Sequence, residues 1–184
     1  MAQSPEELKK LLLEVNYIII SCEGAAEREI MGLLSDNDKL LFSQEKIITI
    51  TNYRKAEDIQ ENYLMRDYDG EVLLLRIIDS RRERFHFRKP YNEKCMVVTI
   101  NTVPEIEILT IISKNKFNEY NRRYKKRMKP SDYCKQILGL KDIKKKGYIK
   151  SQFINNIDIL VELLIEYERL TKRNGMLFIK DLLK

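Results

Sequence analysis

Two carboxylates stand directly after apolar, β-branched runs. Glu23 follows Tyr17-Ile18-Ile19-Ile20-Ser21-Cys22, and Asp79 follows Glu71-Val72-Leu73-Leu74-Leu75-Arg76-Ile77-Ile78. Runs of that length and composition read as buried strands. In an open parallel sheet the carboxyl ends of the strands form the binding crevice, because helix N-termini and loops converge there. Gly24 permits a tight strand-to-helix turn beside Glu23. Glu27 and Glu29 fall in the first turns of the next helix, where the helix dipole favours negative charge. Carboxylates that converge on one spot repel each other, and a hard, oxygen-ligated Mg²⁺ or Mn²⁺ is the natural relief. The bland alternative is a set of ordinary solvent-exposed acids at strand ends.

A second chemistry lies in the charge distribution. The 184 residues carry a net +6, but residues 1–75 hold 8 basic and 15 acidic residues, whereas residues 114–150 hold 14 basic and 3 acidic, a net of +11. A field of that strength attracts polyanions and raises encounter rates. The cations expected to meet nucleic acid are Arg122, Arg123, Lys125, Lys126, Arg127, Lys144, Lys145 and Lys146, with Arg81 and Arg82 from the basic stretch 80–89. Phe117, Tyr120, Tyr124, Tyr133 and Tyr148 are interleaved with the block. They suit base stacking beside phosphate contacts, and they equally suit anchoring of helices to a core. A solvated helical face is the competing account of the whole block.

The elements that would position these groups follow from spacing. Ser4-Pro5-Glu6-Glu7 is a helix start, with Ser4 as N-cap and Pro5 at the first position. Strands are expected at 17–22, 46–51, 71–78 and 94–100. Helices are expected from Ala25 to Leu34, from Arg54 to Met65, from Glu105 to about Arg127 with a break near Ser113–Lys116, from Pro130, and from Ser151 to Leu170. Strands separated by helical patterns predict a three-layer α/β fold with a mostly parallel four-stranded sheet. The division expected is an α/β core over 1–113 and a basic helical extension over 114–184 packed on that core.

Composition narrows the function classes. Hydrophobic residues are 43% and charged residues 34%, enough for a packed core inside a charged surface. No apolar run is long enough to span a membrane, and the first residues lack a signal-peptide layout. Three widely spaced cysteines and one histidine speak against a disulfide framework or a zinc site, so a reduced, cytoplasmic protein is expected. Six glycines, with no GxGxxG and no GxxxxGK[ST], speak against an ATP- or NAD-binding loop.

The strand ending in Cys22-Glu23-Gly24 with Glu27 behind it resembles the first motif of Toprim domains, and the strand ending in Asp79 resembles the second. That second motif normally reads Asp-x-Asp, and here it reads Asp79-Ser80-Arg81. The chain is more closely similar to the RloB-like branch of Toprim proteins of phage-defence and restriction loci. Cys22-Glu23-Gly24, the segment Ile100-Asn101-Thr102-Val103-Pro104-Glu105-Ile106-Glu107-Ile108, and Tyr148-Ile149-Lys150 carry that resemblance. It implies metal-assisted phosphodiester chemistry: a Mg²⁺- or Mn²⁺-dependent nuclease of DNA or RNA in phage defence, with an ABC- or AAA-type ATPase as a partner. It further implies Glu23 as general base or ligand and Asp79 as main metal ligand. Glu27 and Glu107 would be accessory acids, and Lys150 would neutralise charge on the phosphate. The missing acid at Arg81 leaves a second outcome, a non-catalytic nucleic-acid-binding or sensor module. A homo-oligomer is compatible with either.

Overall fold

A computed structural model of the protein describes residues 4–79, 85–171 and 175–184. Arg81 and Arg82 lie outside the described residues. Helix α1 (Pro5–Glu14) starts as its sequence predicts, the Ser4 side chain accepting from the Glu7 N–H at 3.2 Å. Then follow β1 (Tyr17–Cys22), α2 (Ala25–Asp36), β2 (Ile47–Thr51), α3 (Ala56–Ile59), β3 (Val72–Ile78), α4 (Tyr91–Lys94) and β4 (Cys95–Asn101). The rest is helical: α5 (Ile108–Ser113), α6 (Phe117–Glu119), α7 (Pro130–Gln136), α8 (Tyr148–Phe153) and α9 (Ile157–Thr171).

Of the two long helices expected from periodicity, the first breaks where expected and the second is also divided. Between α5 and α6, Asn115 takes a left-handed φ of 55°, which Asn tolerates and which ends a helix. The expected helix 151–170 begins earlier, at Tyr148, and breaks after Phe153. Asn156 then stands immediately before α9, a position where Asn is favoured because its side chain competes with the helical backbone. The helix expected over 54–65 is a single α-turn that continues as a π-turn, Gln60–Leu64.

The four strands form one all-parallel sheet in the order β2-β1-β3-β4. β3 is buried at every residue, as a central strand covered on both faces must be. On one face Ile18, Ile20, Leu73, Leu75, Ile77, Val98 and Ile100 pack with α1, α2, α5 and α9. Ile19, Val72, Leu74 and Cys95 point to the other, where Ala56, Ile59, Leu64 and Phe87 cover them. The basic third shares the first core, since Tyr133, Cys134, Ile143, Ile149 and Phe153 belong to it. The last residues are tied in by two single bridges, Phe178 beside Asn101 and Leu183 beside Leu40. No described helix is long and apolar enough to cross a membrane.

Candidate functional site

The strand order decides which carboxylates meet. From β1 the chain runs outward to β2, crosses back to β3, and continues outward to β4, so the topological switch lies between β1 and β3. Their carboxyl ends carry Glu23 and Asp79. The Glu23 N–H donates to the Ile77 carbonyl at 2.9 Å, which fixes its backbone to β3. One oxygen of Glu23, Oε2, accepts from the Asp79 N–H at 2.8 Å, and the other, Oε1, pairs with Arg54 at 2.8 Å. Burial pushes the Asp79 carboxyl up to about 6, and its hydrogen bond to Glu23 and the charge of Glu23 add to the rise.

Behind this pair stands Glu27, 6% exposed on the inner side of α2. Burial raises its carboxyl to about 7, and the charges of Glu107, Asp79 and Glu23 push in the same direction. The Thr102 hydroxyl, just past β4, reaches Glu27 Oε1 at 3.5 Å, the outer limit of a hydrogen bond. Gly24 stands close against the Glu27 carboxylate. Its φ of −134° is open to any residue, but a Cβ there would sit 2.8 Å from Glu27 Oε2.

Glu107 occupies the position before α5 without capping it; its carboxylate lies 3.8 Å from Lys144, and burial raises its pKa. Glu105, which carries no site signal in the sequence, is the neighbour that completes the rim. It pairs with Lys144 at 3.2 Å and Lys129 at 3.9 Å, and accepts from the Ser131 N–H. Against the effect of burial, Ser131 and Lys144 hold its carboxyl below its ordinary value. Arg54 is a second site residue that the sequence does not single out. Its only signal there is its place two residues after the Asn52 that follows β2.

No protein-family model, curated protein or solved structure matches the chain.

Glu23, Glu27 and Asp79 thus lie at the same end of the sheet, and Glu107, to which the family resemblance points, is near enough for its charge to act on Glu27. Glu29 and Lys150 stand elsewhere. Glu29 accepts from the backbone N–H groups of Gly147 and Lys150 at the start of α8, and the Lys150 side chain lines a cavity beside α2. Arg122, Arg123, Lys125, Lys126, Arg127 and Lys146 are exposed and enter no ion pair among the described residues, whereas Lys144 and Lys145 are paired with carboxylates. The aromatic residues of the block are anchors. Tyr133 is fully buried with the rings of Tyr120 and Tyr124 packed edge-on at 5.2 and 5.0 Å, and Phe117 and Tyr148 pack against the same core.

Among the described residues no three Asp, Glu, His or Cys side chains are grouped closely enough to hold one metal ion. The donor chemistry still suits a hard divalent cation: all the candidate donors are carboxylate oxygens, and Asp79 and Glu27 are driven toward their protonated forms by burial and mutual repulsion. A cation would take the place of those protons. Cys22, Cys95 and Cys134 are free and buried, and burial raises the thiol pKa of each, so none is a nucleophile.

Proposed function

We propose that the protein is a Toprim-like, RloB-like, Mg²⁺- or Mn²⁺-dependent nuclease that cleaves phosphodiesters of DNA or RNA at the carboxyl ends of β1 and β3. One observation carries the reading: four acids, at the ends of β1 and β3, in α2 and before α5, gather at the carboxyl end of a parallel sheet, two of them with pKa values near neutrality. Acids in that state give and take protons at the pH of the cell. Glu23 is held by Arg54 and the Asp79 N–H so that it faces the crevice with one fixed orientation. Asp79, sharing a hydrogen bond with it, would be the main ligand of the cation in place of its proton. Lys129 and Lys144, kept at the rim by Glu105, meet the phosphate. Glu23, Asp79, Glu27 and Glu107 are the carboxylates that would hold the cation, drawing closer than they stand here, where no three described side chains are near enough to share one ion; the cation would supply polarisation of the phosphate and a bound water of lowered pKa.

In this reading the protein works in the cytoplasm, where its three free thiols stay reduced, and an ABC- or AAA-type ATPase is its partner in phage defence. Glu23→Gln and Asp79→Asn are expected to lower Mn²⁺-dependent cleavage by roughly 10²- to 10⁴-fold. Nucleic-acid affinity should stay close to wild type, and Asp79→Asn should melt at or above the wild-type temperature above pH 6, because burial opposes the Asp79 charge. Absence of cleavage of any DNA or RNA by wild type with Mg²⁺ or Mn²⁺, alone and with the ATPase, sinks the catalytic reading. A second reading, a binding or sensor module, is favoured by one feature: both oxygens of Glu23 already have partners in the protein.

A further inference from the structure

A half-open cavity of about 420 Å³ lies between α2 and α8 and is also lined by Asn52, just past β2. Helix α2 separates it from the carboxylates, for Glu27 belongs to that cluster and the next residue, Arg28, lines the cavity. Glu29 fastens α8 to α2 through the Gly147 and Lys150 N–H groups, so its carboxylate is already engaged. The side chains of Arg28, Lys146 and Lys150 line the same space, and among the described residues no ion pair takes up any of the three. Of the two carboxylates on the same lining, Glu29 is engaged by α8 and Asp36 is exposed at the outer end of α2, so three cations against two acids leave the cavity a net positive charge that suits an anionic ligand.

The floor of the cavity points the same way. Gly32 sits inside α2, where glycine is the poorest helix former after proline. It has no left-handed φ, and a Cβ built on it meets no atom within 4 Å. Neither backbone conformation nor packing against α8 calls for glycine at this position. The missing side chain instead keeps the floor low beside Ala25, leaving a small apolar surface under the cations.

We propose that this cavity binds a nucleotide unit, with its phosphate on Arg28, Lys146 and Lys150 and its sugar or base over Ala25 and Gly32. Asn52 offers an amide for a base edge. The volume falls within the range of small-molecule sites. The choice of ligand rests on the nucleic-acid reading above, and adds to it the place where the substrate is gripped across α2 from the acids. The same chemistry could arrive as a free nucleoside monophosphate or as one unit of a strand.

Gly32→Leu tests the idea directly, because leucine favours the helix and fills the floor, so the variant should melt at or above the wild-type temperature. Wild type, Gly32→Leu and Arg28→Gln are titrated, without divalent cation, with AMP and with a labelled single-stranded oligonucleotide. Wild type is expected to bind at least one of these, and both variants to weaken that binding tenfold or more. AMP binding identifies a free nucleotide as ligand; binding of the oligonucleotide alone identifies a strand. The inference is overturned if wild type binds neither probe, or if folded Gly32→Leu binds as wild type does. Cleavage is read separately with Mn²⁺. Loss of binding in Gly32→Leu from a wild type that never cleaves removes only the catalytic reading, whereas cleavage with unchanged binding in Gly32→Leu removes only the cavity.

Discussion

Glu27 is a carboxylic acid whose folded environment opposes its charge. Burial and three neighbouring acids raise its pKa from 4.5 to about 7, so near neutral pH the folded protein retains a proton that the unfolded chain has released. The destabilisation is absent below the unfolded value, grows as pH rises through the window between the two, and is complete above about 7. Glu27→Gln should therefore match wild type at pH 4 and exceed its stability at pH 8 by on the order of 2–3 kcal/mol, measured by urea denaturation. Asp79 adds to the same trend, its carboxyl being raised to about 6. If the acids hold a cation, Mn²⁺ at saturation raises the wild-type melting temperature at pH 8, and Glu27→Gln loses much of that rise. A wild-type melting temperature indifferent to Mn²⁺ at pH 8 argues for the non-catalytic module.

At the scale of elements, the basic segment divides into two kinds of cation. Lys144 and Lys129 are built into the rim of the acid cluster, whereas Arg122, Arg123, Lys125, Lys126 and Arg127 project from the π-turn after α6 and the residues behind it. The exposed set is free to meet phosphates. Replacing Lys125, Lys126 and Arg127 together should weaken nucleic-acid binding and flatten its dependence on salt by about one unit of log–log slope for each phosphate left unneutralised. Unchanged affinity and slope would make this turn a solvated face. The buried Tyr120–Tyr133–Tyr124 cluster holds the turn to the core, so base stacking on these rings is not expected, and Tyr133→Ala should act on stability.

For the whole molecule, the last residues lock the fold on the face that carries α1, α5 and α9. Phe178 is fully buried, packs edge-on against Tyr167 at 5.7 Å, and donates its N–H to the Asp181 carboxylate at 2.8 Å. Phe178→Ala is expected to cost about 3–5 kcal/mol in denaturant unfolding, because the cavity it leaves lies between α9 and the sheet. A loss under about 1 kcal/mol would show that the tail is an ornament on an independently stable core.

The strands, the N-terminal helix and the acids at the strand ends are all legible in the sequence. Buried parallel strands are continuous apolar runs, and Ser4-Pro5 satisfies a helix start through local chemistry alone. Local patterns also mark Glu23 and Asp79 as residues at a crevice, since each directly follows such a run. They do not contain the order β2-β1-β3-β4, which sets those two acids side by side, because strand order depends on crossovers between segments far apart in the chain. Arg54, Glu105 and Lys144 become site residues only through that order and through the packing of the C-terminal third on the sheet. Lys150, by contrast, is drawn toward the acids by a short motif alone, and Glu29 holds its backbone on the far side of α2. Periodicity also overruns the break at Asn156, where a single polar residue redirects the backbone without altering the apolar stripe, whereas the break at Asn115 falls where the sequence predicts one. Sequence alone determines local conformation and which residues carry charge; only tertiary structure decides which charges meet, because their pKa values and ion pairs arise from burial and proximity across the chain.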